Sequence, residues 1–123
     1  MVEPGYVPRP IEIRVRRASA CLEIDFDDGL NARLPAEYLR VESPSAEVKG
    51  HGPGQATLVT GKRAVGIEAV DAIGHYAVRI RFTDGHDTGL YSWALLHQLA
   101  QEQPDRWRDY LEALAKRGLR RDA

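Results

Sequence analysis

The stretch FTDGHDTGLYSW, residues 82–93, concentrates residue types that do chemistry. Asp84, His86 and Asp87 fall almost side by side, followed by Thr88 and Tyr91. Histidine is a common metal ligand and a general acid–base group. A metal site needs three or four converging ligands, and this stretch alone offers Asp84, His86 and Asp87. The simpler reading is turn chemistry. Asp84, Asp87 and Thr88 then bond backbone groups in a turn and at a helix start, with His86 packed beside them.

Other chemistry finds little support. An iron oxygenase site uses two histidines and a carboxylate. Yet His51, His75, His86 and His97 are followed by Gly52-Pro53, Tyr76-Ala77, Asp87-Thr88 and Gln98-Leu99, so no His-x-Asp or His-x-Glu spacing occurs. No Gly-x-Ser-x-Gly elbow is present, and the glycine-rich run GHGPG, 50–54, lacks the Lys-Ser or Lys-Thr of a P-loop. Cys21 opens a predicted strand and reads as a small buried thiol. Arg14, Arg16, Arg79 and Arg81 suggest a basic stripe, but Glu23 and Asp25 on the neighbouring strand make cross-strand pairing the simpler account. Trp93 and Trp107 lie on apolar stripes and read as core.

These residues must be carried by a small domain. The chain has 123 residues, 17 Lys+Arg against 18 Asp+Glu, and a formal net charge of -1. A near-neutral balance gives no electrostatic case for nucleic acid or a membrane surface as partner. The single cysteine rules out an intramolecular disulfide and suits a reducing cytoplasm. No signal peptide or membrane-spanning run is evident.

Period-two alternation predicts strands at 11–17, 21–26, about 30–34 and 76–82, with Ile11, Ile13 and Val15, and later Tyr76, Val78, Ile80 and Phe82, facing inward. Residues 65–73 read as a strand with a bulge between Ala69 and Val70. Gly74-His75 reads as a two-residue turn. Pro35 opens a short helix through AEYLRV. The spacing predicts helices at 92–101 and 104–117, the latter with a Trp107, Leu111, Leu114 stripe. Residues 42–64 read as a long loop, with 58–60 as a short edge strand. No internal repeat stands out. The sum is one α+β domain: a small, mostly antiparallel β-sheet of about five or six strands, with a short helix after the third strand and two C-terminal helices.

Two further stretches, LPAEYLRVESPSAEVKGH at 34–51 and GIEAVDAIGHYAVRIRFTDGHDTGLYSWALL at 66–96, give the chain a family resemblance. It resembles the gamma-butyrobetaine hydroxylase-like N-terminal domain family over roughly residues 8–100, with LRV-x-SPSAEV and DGH-x-TG-x-YSW as the specific patterns. The resemblance implies small bacterial proteins, mostly of unknown function. The same domain precedes the oxygenase barrel of gamma-butyrobetaine and trimethyllysine hydroxylases. It is also fused to Mrp-type P-loop ATPases that carry iron–sulfur clusters.

In the hydroxylases the domain resembles a zinc module with three cysteines and a histidine. Carried over, the cysteine positions fall on Ser43, Ser45 and Val48 and the histidine on His86, so the resemblance implies a degenerate site. His86 is then expected to hydrogen-bond to Ser43 or Ser45 in place of the metal cross-link. With no barrel, the chain is expected not to be an enzyme. It is expected to be a non-catalytic accessory module linked to iron–sulfur protein maturation. Its implied partner is a protein such as an Mrp-type carrier ATPase, and its state a monomer or weak homodimer. The implied contact surface comprises Ser43, Ser45, Glu47, His51, Asp84, His86, Asp87 and Tyr91. No cofactor is expected. The alternative is an oxidoreductase-associated domain that binds iron, zinc or another divalent metal weakly at His86, joined by Glu42, Glu47 or His51.

Overall fold

A computed structural model describes residues 6–45 and 58–122. The alternating segments form strands: β1 Pro10–Arg16, β2 Cys21–Phe26, β3 Asn31–Pro35, β4 Ile67–Ile73 and β5 Ala77–Phe82, joined by a short β6 at Leu90–Ser92. The helices are α1 Ala36–Val41, α2 Trp93–Gln101 and α3 Gln103–Lys116. The α+β class and the three helices match the sequence expectation. The strands divide between two antiparallel three-stranded sheets, ordered β1-β2-β3 and β4-β5-β6.

The two sheets are copies of one plan. Each is a hairpin, a third strand and then a helix. Pro10 pairs with Phe26 and Ile67 with Phe82, and each pair is followed by a bulge before Glu12 or Ala69. The turns after the second strands are the same turn. Phe26 N–H donates to Leu30 C=O at 2.8 Å and Phe82 N–H to His86 C=O at 3.0 Å. Gly29 and Gly85 both sit at φ 91, a left-handed conformation open to glycine at no steric cost. The helix starts are tied alike, Ala36 N–H to Ala20 C=O at 2.8 Å and Trp93 N–H to Tyr76 C=O at 3.0 Å.

The repeat escaped the sequence reading for a physical reason. Across 21–30 and 77–86 only Ile24/Ile80, Phe26/Phe82, Asp28/Asp84 and Gly29/Gly85 are identical. The charges are inverted. Arg14 on β1 reaches Glu23 at 3.1 Å and Asp25 at 2.8 Å on β2, whereas Asp71 on β4 receives Arg79 at 3.3 Å and Arg81 at 3.0 Å from β5. Packing preserves shape and cross-strand charge complementarity, not the sign on each strand.

The halves bury one shared core, in which Leu22, Ile24, Leu34, Leu39, Ile80, Tyr91, Leu96 and Leu99 are wholly enclosed. Cross-half hydrogen bonds fix them together. The Tyr38 hydroxyl donates to Leu99 C=O at 2.7 Å and the Tyr91 hydroxyl to Leu39 C=O at 2.5 Å. Burial pushes both phenols up from their ordinary pKa. Val41, Tyr110 and Leu114 form a satellite cluster that seats α3.

Several local expectations are corrected. The β4 bulge lies between Ile67 and Ala69, two residues earlier than the alternation suggested. The β1 bulge turns Ile11 outward, to 72% exposure. Ile73 pairs with Ala77, so the turn has three residues, and Tyr76 stands exposed on it. On α3 the buried residues are Tyr110 and Leu114, while Leu111 is exposed. Residues 58–60 carry no strand. Cys21 is buried, as expected. Among the described residues no helix is long and apolar enough to cross a membrane.

Candidate functional site

Because the turn at 82–86 is also the turn at 26–30, the Asp-Gly pair belongs to the architecture. Asp28 accepts the Leu30 N–H at 3.0 Å, and Asp84 accepts the His86 N–H at 3.1 Å. Each aspartate then reaches the fifth residue of the helix in the opposite half, Asp28 to His97 at 2.7 Å and Asp84 to Arg40 at 2.8 Å. Lys62 adds a second cation to Asp84 at 2.6 Å. Burial of Asp84 opposes its charge. The Lys62 ammonium, the His86 N–H and the Arg40 guanidinium outweigh that and hold the carboxyl at about 2.

His86 is where the turns part. Its counterpart is Leu30, and Ser43 corresponds to Ala100, the eighth residue from the start of the other helix. Leu30 and Ala100 pack against the apolar core. His86 and Ser43 are also buried, but they are polar: Ser43 Oγ lies 2.9 Å from His86 Nε2. Ser45 adds to the cluster, with its hydroxyl 2.7 Å from that of Thr88 and its N–H donating to Ser43 Oγ at 3.3 Å. The expected bond between His86 and Ser43 is therefore present.

Gly89 lets the cluster close. A Cβ built on it would stand 2.6 Å from Ser43 Oγ and 3.1 Å from the Tyr91 ring. The segment after α1 thus lies directly on the backbone at Gly89, just before β6, and only glycine leaves that room. The sequence signal was the Thr88-Gly89 pair ahead of an aromatic strand, which the turn reading did not use. Arg40 and Lys62 were likewise missed, because a helix arginine and a loop lysine carry no local motif.

The expected contact surface divides. Ser43, Ser45, His86 and Tyr91 are buried, with Tyr91 at 0% exposure, so these four support the turn and present no side-chain surface to a partner. Asp87 and Thr88 are exposed, as is Leu90 at 48%. Asp84 lies at the rim, engaged by its cations. Glu47, Val48 and His51 lie outside the described residues.

The zinc module implied by the resemblance does not fit these donors. Serine hydroxyls are poor zinc ligands, and valine is none. Ser43 Oγ already engages His86 Nε2, at 2.9 Å, one of the two ring nitrogens open to a metal. Among the described residues no group of three His, Cys, Asp or Glu side chains converges to hold a metal ion. Nor do the described residues form an oxygenase barrel.

Known proteins place this arrangement. Two proteins with solution NMR structures share 43% and 46% identity with the chain, at TM-scores of 0.83 and 0.81. The first alignment covers 95% of this chain and 92% of the other, the second 98% and 90%. A crystal structure of a protein of unknown function from Acidithiobacillus ferrooxidans shares 41% identity at a TM-score of 0.64, covering 75% of this chain and 92% of that one. No curated protein matches. Residues 13–97 match the family described as gamma-butyrobetaine hydroxylase-like, N-terminal. This chain belongs to the gamma-butyrobetaine hydroxylase-like N-terminal domain family.

Proposed function

We propose that the chain is a non-catalytic accessory module that docks on a protein partner through the rim of the 84–90 turn. One observation carries this reading. Of two turns built alike, this one buries His86 and Ser43 where the other has Leu30 and Ala100, beneath an exposed Asp87, Thr88 and Leu90. The cluster's groups hold the loop in place: Ser43 meets His86, Ser45 meets Thr88, and Asp84 is charge-paired. That is a support for a contact surface, not an acid–base pair aimed at a cleft.

The domain company implied by the family favours a partner in iron–sulfur protein maturation, of the Mrp-type carrier ATPase class, in the cytoplasm. This step is by analogy of domain fusion. The test is association of the purified chain with such an ATPase by calorimetry, together with iron–sulfur enzyme activities in a deletion strain. Measurable affinity and lowered activities are expected. No affinity and unchanged activities would remove the proposal.

Metal content by mass spectrometry distinguishes the alternative. Near-stoichiometric iron or zinc that survives desalting and is lost in His86→Ala would make the chain a metal-binding module. Turnover of gamma-butyrobetaine with ferrous iron and 2-oxoglutarate, which we expect to be absent, would overturn the non-catalytic reading itself.

A further inference from the structure

A cleft of about 220 Å³ opens where the start of α1 meets α3, lined by Pro35, Glu37, Tyr38, Gln103, Trp107 and Arg121. Its floor is unusual in charge. Glu37 is a carboxylate with only 6% exposure, and its counterpart at the start of α2 is Ala94. A buried carboxylate is costly unless a cation pairs with it. The cation comes from the segment after α3. Arg121 Nε donates to Glu37 Oε2 at 2.9 Å and Nη2 to Oε1 at 2.6 Å, a two-pronged contact. The same guanidinium lies over the Trp107 ring, 5.2 Å from its centroid.

Edge-on pairing with a carboxylate and face-on stacking with an indole together select a planar guanidinium over an ammonium. The segment that delivers it is otherwise held by two backbone bonds and by an exposed Arg63–Asp122 ion pair at 3.9 Å. Leu119 stays 41% exposed, and Arg120 and Asp122 are exposed. The backbone ties are Arg63 N–H to Arg121 C=O at 3.2 Å and Leu119 N–H to Leu114 C=O at 2.9 Å. Beside the stacked guanidinium the cleft still has open volume.

We propose that the Glu37–Trp107 cleft is a receptor for an arginine side chain, which residues 119–122 fill as an intramolecular ligand that an arginine presented in trans can replace. The proposal is independent of the 84–90 turn, which lies at the other end of α1. An intramolecular occupant competes at high effective concentration, so exchange is readily seen when the occupant is weakened.

The test uses the full chain as the Arg121→Ala variant, titrated with arginine amide and separately with lysine amide. The expected result is a saturable shift of the Trp107 indole N–H resonance and a rise in Tm with arginine amide. Lysine amide should act several-fold more weakly, and Glu37→Gln in the same background should abolish the response. No response to arginine amide, or an equal response to lysine amide, overturns the proposal. A wild-type measurement covers the case in which Arg121→Ala does not fold. The Arg121 Nε–H resonance should move toward its solvent-exposed position with arginine amide and not with lysine amide. An unmoved resonance shows a fixed staple and overturns the exchange.

Discussion

The two ends of α1 are fastened in opposite ways. After its C-terminus, Ser43 is locked against the backbone just before β6 by short hydrogen bonds and by the absence of a side chain at Gly89. Near its N-terminus, Glu37 is held by a charged guanidinium with open volume beside it. The first fastening is steric and short-ranged; the second is ionic and exchangeable. The difference teaches where rigidity and adaptability are placed. The turn proposed as a contact surface is packed shut, whereas the cleft keeps the closure proposed to be detachable.

The sharpest way to break this contrast is Gly89→Ala. The added methyl would stand 2.6 Å from Ser43 Oγ, and overpacking of this kind costs roughly 1–3 kcal/mol. Urea denaturation should show that loss, with little dependence on salt. Ser43→Ala in the same chain removes the clashing oxygen. The double variant should therefore lose less than the sum of the singles, because contacting sites couple.

Arg121→Ala comes next and should behave differently. Its side chain is 35% exposed while that of its partner Glu37 is 7% exposed, so the loss falls between the exposed and buried limits, at about 1–2 kcal/mol. Salt screens such a pair. The stability gap between wild type and variant should narrow as salt is raised, as the Gly89→Ala gap does not. Equal salt responses would erase the distinction between lock and latch.

A smaller effect comes from Asp84, the shared turn residue. Its folded pKa, about 2, lies below the ordinary aspartate value of 3.8. A depressed carboxyl contributes stability that is fully present above the unfolded value and is lost as pH falls through the folded one. Asp84→Asn should therefore cost about 1 kcal/mol at neutral pH, after discounting for solvent screening. The gap from wild type should close between about pH 4 and pH 2. Thermal melts across that range check the sign.

Much of the fold is legible because alternation reports burial directly. Leu22, Ile24 and Phe26, then Val78, Ile80 and Phe82, are buried as their spacing requires. The misses have one kind of cause, since a tertiary neighbour redirects a residue whose local pattern is sound. Ile11 faces outward because a bulge precedes Glu12. Tyr110 replaces Leu111 in the core because its hydroxyl reaches Val59 C=O at 2.8 Å. β6 was hidden because a strand of three residues sets no period. At the site, His86 and Ser43 were paired correctly through the resemblance. The turn's architectural role became visible only when the 26–30 copy could be laid beside it.

That copy also gives the finest test, at Leu90. On the third strand of the first half, Arg33 stands opposite Glu23. The matching register pair in the second half is Leu90 opposite Arg79. An exposed arginine is thus replaced by a leucine at 48% exposure, beside a support that the first half lacks. Folding does not require this leucine, because its counterpart is charged in a half built to the same plan. Leu90→Glu restores a cross-strand charge pair with Arg79, and stability should stay within about 0.5 kcal/mol of wild type. Affinity for the partner should fall, because a hydrophobic contact is replaced by a charge that must be desolvated. Calorimetry with the proposed ATPase partner and a urea curve on the same preparation separate the two effects. Unchanged affinity would move the contact surface away from β6, and a large stability loss would make Leu90 part of the fold after all.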